Sequence, residues 1–158
     1  MSTLLKLLSI SAAVYVVLLV LLMLFQRSLI YHPDTTRPVP ADWGVPEMSE
    51  VTLTAADGQT LVAWWKPPKP PDGRVMVFFH GNAGHIGFRG GKIRPYLDDG
   101  IGVLLVAWRG YSGNDGKPTE AGLYADGAAA LAFLDQKEIA PKYRIIYGES
   151  LGSGVAVE

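Results

Sequence analysis

From Leu4 to Phe25 the chain is almost continuously apolar, broken only by Lys6, Ser9 and Ser11, and no polar side chain occurs from Val16 to Phe25. About 20 helical residues rising 1.5 Å each cover the roughly 30 Å hydrocarbon core of a bilayer. The run therefore predicts one membrane-embedded helix. A cleaved signal needs a small-x-small site after a shorter apolar region. Here the small pair Ala12-Ala13 lies inside the run, and Phe25-Gln26-Arg27-Ser28-Leu29 offers no such site. The pattern favours an uncleaved, single-pass membrane anchor. Positive charge is nearly balanced, Lys6 and the amino terminus on one side and Arg27 and Arg37 on the other. The positive-inside rule leans only slightly to the amino terminus inside.

Pro33, Pro38, Pro40 and Pro46 then punctuate the chain, as in a linker holding a domain away from a bilayer. Tyr31 and Trp43 fit either the membrane interface or a cover over the domain. After this the period changes. Glu50 to Ala55 alternates polar and apolar residues, Asp57-Gly58 is a hairpin signal, and Thr60 to Trp65 follows as a second strand. Pro67 to Gly73 reads as a loop. Val75 to Phe79, Gly102 to Trp108 and Ile145 to Tyr147 are short continuous apolar runs, as expected of strands buried on both faces. Helical stretches separate them. One is Gly-rich and covers about Gly87 to Leu97. The other runs from Thr119 to Lys137, with Thr119 as N-cap and Tyr124, Gly127, Ala128, Leu131 and Leu134 at helical spacing on one face. A hairpin followed by βαβαβ predicts an α/β fold with a mostly parallel sheet. The expected organisation is a transmembrane anchor at 1–25, a Pro-rich linker at 26–48 and the α/β domain from 49 to 158.

Ligand chemistry in such sheets gathers at the carboxyl ends of the strands. Those ends carry three Gly-rich loops: His80-Gly81-Asn82-Ala83-Gly84, Arg109-Gly110-Tyr111-Ser112-Gly113 and Gly148-Glu149-Ser150-Leu151-Gly152. The last is a G-x-S-x-G motif between a strand and a helix. A nucleophilic serine at so sharp a turn crowds its neighbours, and Gly148 and Gly152 relieve the crowding.

Composition narrows the choices. The chain has 158 residues, with 14 Lys plus Arg against 15 Asp plus Glu, and no basic block, so nucleic acid is not an expected partner. Without cysteine there are no disulfides or thiolate metal sites. His80 and His85 are too few ligands for a metal. Gly152-Ser153-Gly154 lacks the rest of a phosphate loop. No cofactor is implied. Trp64-Trp65 reads as packing, and Arg109 and Asp126 as a structural ion pair rather than substrate contacts. Glu149 is a candidate partner for a neighbouring cation.

Together these motifs, with Gly116-Lys117-Pro118-Thr119-Glu120-Ala121-Gly122-Leu123-Tyr124-Ala125-Asp126 entering the second helix, resemble the α/β-hydrolase superfamily. The closer resemblance is to its membrane-anchored, bud-emergence-type branch, along about 49–158. The resemblance implies an incomplete α/β-hydrolase sheet, its first five strands, preceded by one transmembrane helix. Ser150 would be the nucleophile, and the backbone amides of Asn82 and Leu151 would form the oxyanion hole. His80 and Gly81 would shape the loop after the third strand. The family's catalytic order is Ser, then Asp or Glu, then His. The acid and the base are therefore expected beyond Glu158, and the chain reads as the first half of a hydrolase, a fragment or a truncated product. His80 or His85 as a substitute base is the less favoured alternative. The function implied is cleavage of an ester, thioester or amide in a small-molecule or acylated substrate. A non-catalytic, truncated or pseudoenzyme membrane protein is the alternative.

Overall fold

In the computed structural model the apolar run forms helix α1, Thr3–Ile30. Its 28 residues extend about 42 Å at 1.5 Å per residue. By length and composition it is able to cross a membrane. It continues through Gln26–Ile30, expected in the linker, because nothing there breaks a helix before Pro33. The structure describes residues 2–70 and 73–158; Met1 of the expected anchor, and Pro71 and Asp72 of the expected loop, lie outside the described residues. The chain divides into two units, the first ending at His32 and the second beginning at Pro33.

In the second unit, five strands form one sheet: β1 Ser49–Thr54, β2 Thr60–Lys66, β3 Val75–Phe79, β4 Gly102–Val106 and β5 Arg144–Gly148. Their spatial order is β1-β2-β4-β3-β5. β1 and β2 form the antiparallel hairpin with Thr54 opposite Thr60. The intervening turn uses Gly58 at φ +85°, a conformation that suits glycine. β2 is antiparallel to β4, whereas β3 is parallel to both β4 and β5. Four strands thus run one way and β2 the other.

β3 and β4 are buried along their whole length, which is why they read as unbroken apolar runs. On one face of the sheet Met76, Phe78, Val103, Leu105 and Trp64 pack with Ile93 of helix α2, Gly90–Asp98, which follows a 3-10 turn at Ile86–Arg89. Val45 and Met48 belong to this same core, and Trp43 packs against it. Much of the expected linker is therefore part of the domain. Its prolines bend the chain, but the apolar residues between them dock on the α2 side. The opposite face is covered by helix α3, Glu120–Gln136, whose N-cap Thr119 accepts from the Gly122 N–H at 3.0 Å. Trp65 meets Phe133 of α3 edge-on, with ring centroids 5.5 Å apart.

α3 presents a different stripe from the one expected. Leu123, Asp126, Gly127, Ala130, Phe133 and Leu134 are buried, whereas Ala128 and Leu131 are exposed and Tyr124 is half-buried. Both stripes have helical spacing, and packing on the sheet selects the one rotated about one residue away. Tyr124, Ala128 and Leu131 instead line an open groove with Ile146 of β5 and Val155 of the last helix, α4, Leu151–Val157.

Candidate active site

Ser150 occupies the turn between β5 and α4 with φ +50° and ψ −114°, outside the regions non-glycine residues normally adopt, and it is exposed. The flanking glycines are required by contact. A Cβ on Gly148 would collide with Ser153 Cα and stand 2.7 Å from the Gly152 carbonyl oxygen. A Cβ on Gly152 would overlap the backbone of Phe79. The carbonyls of Glu149 and Ser150 take the Gly152 and Ser153 amides, each at 2.9 Å. The Leu151 N–H, first of the helix, lies outside this pairing.

The loop after β3 lies against this turn. A Cβ on Gly81 would be 3.5 Å from Ser150 Cβ and 3.5 Å from the Glu149 carbonyl oxygen. The Glu149 N–H donates to the Phe79 carbonyl at 2.9 Å. The sequence motifs of His80 to Gly84 and Gly148 to Gly152 are thus brought together at the ends of neighbouring strands.

Three successive carbonyls of this loop are held by side chains. Trp108 Nε1–H donates to the His80 carbonyl at 2.9 Å. His80 Nδ1 lies 2.7 Å from the Gly81 carbonyl, and Tyr111 O–H donates to the Asn82 carbonyl at 2.9 Å. A carbonyl only accepts, so His80 carries its proton on Nδ1. In a trans peptide the N–H points opposite to the C=O. Fixing the Gly81 carbonyl therefore aims the Asn82 N–H away from the His80 ring. Trp108 and Tyr111 escaped the sequence reading as site residues. Their only signal was membership of Trp108-Arg109-Gly110-Tyr111-Ser112-Gly113.

Neither nearby histidine is free to act as a base. His80 is completely buried, and burial, then the positive charge of Arg89, lowers its pKa from 6.5 to about 3. Its Nε2 has no partner among the described residues. His85 accepts from the Gly87 N–H through Nδ1 at 3.1 Å and faces Asp34 across 3.8 Å through Nε2. Its ring stacks on Phe88 with centroids 4.2 Å apart and meets Trp43 edge-on.

Arg109 and Asp126 form a buried pair. The guanidinium reaches Asp126 Oδ1 through Nε at 2.9 Å and Nη2 at 2.7 Å, and the Arg109 backbone N–H donates to Oδ2 at 3.0 Å. Nη1 also reaches Asp57 in the hairpin turn at 2.6 Å. The hydrogen bonds to Asp126 push the Arg109 pKa up, while burial pushes the Asp126 carboxyl up against the pull of Arg109. All three of these hydrogen bonds to Asp126 lie within the fold, so the pair braces the loop after β4 against α3. Glu149 is paired with Arg89 and Lys92.

No family model matches the chain. Protein Rv2307c of Mycobacterium tuberculosis is 38% identical over 135 residues, covering 84% of this chain and 48% of that protein. Protein bem46 of Schizosaccharomyces pombe is 31% identical over 157 residues, covering 93% of this chain and 52% of that one. The crystal structure of an alpha-beta hydrolase from Vibrio vulnificus superposes with a TM-score of 0.62 at 30% identity, covering 77% of this chain and 45% of that one. The chain spans about half the length of the curated relatives it matches.

Proposed function

Because the chain belongs to the α/β-hydrolase superfamily, on the branch that includes bem46, we propose that it carries the nucleophile half of a membrane-anchored serine hydrolase. Ser150 Oγ attacks an ester, thioester or amide carbonyl. A histidine takes the serine proton, and an Asp or Glu orients that histidine. In the family order both follow the serine in sequence. The tetrahedral oxyanion is held by the N–H groups of Asn82 and Leu151. Collapse expels the alcohol, thiol or amine with the histidine's proton. Water, deprotonated by the same histidine, then releases the acid and restores Ser150.

The observation that carries this reading is the strained, exposed backbone of Ser150 at a strand-to-helix turn packed against Gly81. Strain of this kind persists only where surrounding structure enforces it, and here the close backbone packing that Gly148 and Gly152 permit does so. Helix α1 anchors the domain to a bilayer, and a lipid or acylated small molecule is the substrate class such an anchor favours.

A fluorophosphonate probe tests the assignment on membranes expressing the native protein that carries this sequence. The expected result is one covalent adduct on Ser150, lost in Ser150→Ala. Undiminished labelling of Ser150→Ala overturns the nucleophile assignment, and so does an unlabelled wild type.

A further inference from the structure

We infer that Arg89 is a positioning residue that ties the loop carrying the Asn82 amide to the turn carrying Ser150, with Glu149 as its anchor. The catalytic consequence of this tie rests on the reading of Ser150 as a nucleophile; the tie itself does not.

Arg89 ends the 3-10 turn Ile86–Arg89, and its side chain is 8% exposed. Nη1 donates to the carbonyls of Ala83 at 2.9 Å and His85 at 3.2 Å. Nη2 donates to Glu149 Oε1 at 3.4 Å. One guanidinium therefore collects oxygens from both segments that flank Ser150. The other carboxylate oxygen of Glu149 lies 2.9 Å from Lys92 Nζ, so the anchor is held from two sides. At its backbone Glu149 is fixed to the end of β3 through Phe79.

The loop needs such a tie. Gly81 and Gly84 lie within four residues of each other, and glycine carries the largest backbone entropy to be lost on ordering. Trp108, His80 and Tyr111 fix its first three carbonyls but bind it to itself and to the loop after β4. The Arg89–Glu149 bond spans from the loop to the nucleophile turn. The bond joins two charged groups, and at 3.4 Å it is long for its kind. The planar fork of arginine reaches all three oxygens at once, whereas a lysine ammonium is a single point of charge. A small change in separation between the two amides and Ser150 acts on the reacting geometry, so the effect falls on turnover rather than on binding.

The experiment is hydrogen exchange by mass spectrometry on the whole chain in detergent micelles, for wild type, Arg89→Met, Arg89→Lys and Glu149→Gln. The protected amides of Ile86 and Gly87 report on the loop, and those of Glu149, Gly152 and Ser153 report on the turn. Arg89→Met and Arg89→Lys are expected to speed exchange in both segments together by about tenfold, the scale of one lost charge-assisted bond. Strands β3 and β4 stay unchanged. Glu149→Gln, which still accepts a hydrogen bond, gives a smaller change in the same two segments. A change confined to the loop, a change spread over the sheet, or no change overturns the tie. The rate of Ser150 phosphonylation is read in the same variants of the native protein, where Arg89→Lys should lower the maximal rate without moving the half-saturating probe concentration. Coupled exchange with an unlabelled wild type sinks the nucleophile reading and leaves the tie standing. Labelling with uncoupled exchange does the reverse.

Discussion

A Cβ placed on Gly152 would overlap the carbonyl oxygen of Phe79 and stand 2.8 Å from that of His80. Helix α4 thus approaches the end of β3 as closely as backbones allow, and this approach delivers Ser150 to the loop after β3. Gly154, two residues on in the same helix, has nothing within 4 Å of its would-be Cβ. The same substitution should therefore act with opposite sign at the two positions. Gly152→Ala forces backbone apart and is expected to cost about 1–3 kcal/mol or more. Gly154→Ala removes a helix penalty and should gain up to about 1 kcal/mol. Thermal melting of the chain in detergent micelles checks both, and similar shifts at the two sites would contradict the close approach.

The Arg109–Asp126 pair makes a second contrast. Asp126 is fully buried and takes three hydrogen bonds from Arg109. Asp57 meets the same guanidinium but its side chain is about half exposed. Removing one partner of a buried pair leaves the other charge without compensation, so Asp126→Ala should destabilise by about 3–5 kcal/mol. Asp57→Ala should cost much less, because solvent screens it. Chemical unfolding followed by near-ultraviolet dichroism of the tryptophans measures the two losses. Equal losses would remove Asp126 from its bracing role.

What could be read in advance follows from the kind of signal. β3 and β4 announce themselves as apolar runs because both faces are buried, and α3 begins at Thr119 because a capping hydroxyl has a local signature. The turn at Ser150 was legible through its two glycines. The docking of Val45 and Met48 was not, since the prolines around them look like those of a solvated linker. The buried stripe of α3 is ambiguous in the sequence because Tyr124 and Leu131 satisfy the same period as Leu123 and Leu134. The roles of Trp108, Tyr111 and Arg89 rest on side-chain bonds to backbone across distant segments. Such bonds leave no periodic trace.

Helix α1 makes a separate expectation. A span of this length with no buried side chain satisfies its own backbone hydrogen bonds, as a bilayer requires. The protein should stay in the membrane pellet after an alkaline carbonate wash. Release into the supernatant, or a mature amino terminus mapped after Phe25, would identify the segment as a cleaved signal.

The last expectation concerns pH. Folded His80 has its pKa lowered to about 3, whereas an unfolded histidine titrates near 6.5. Between these values the unfolded chain holds a proton that the folded chain lacks, so unfolding takes up protons and stability rises with pH. The contribution is complete above about 6.5 and is lost as pH falls toward about 3. Carboxylates held below their ordinary range, such as Glu47 beside Arg94, also weaken the fold in acid. They do so whatever occupies position 80. The variant His80→Asn isolates the histidine: its amide N–H can replace Nδ1–H toward the Gly81 carbonyl, and it binds no proton. Wild type should lose stability relative to His80→Asn by up to about 1.4 kcal/mol for each pH unit within that window. Melting curves at several pH values from about 7 down to about 4 measure the difference. Parallel curves would mean that the His80 ring reaches solvent and titrates normally, and that it does not hold the Gly81–Asn82 peptide in place.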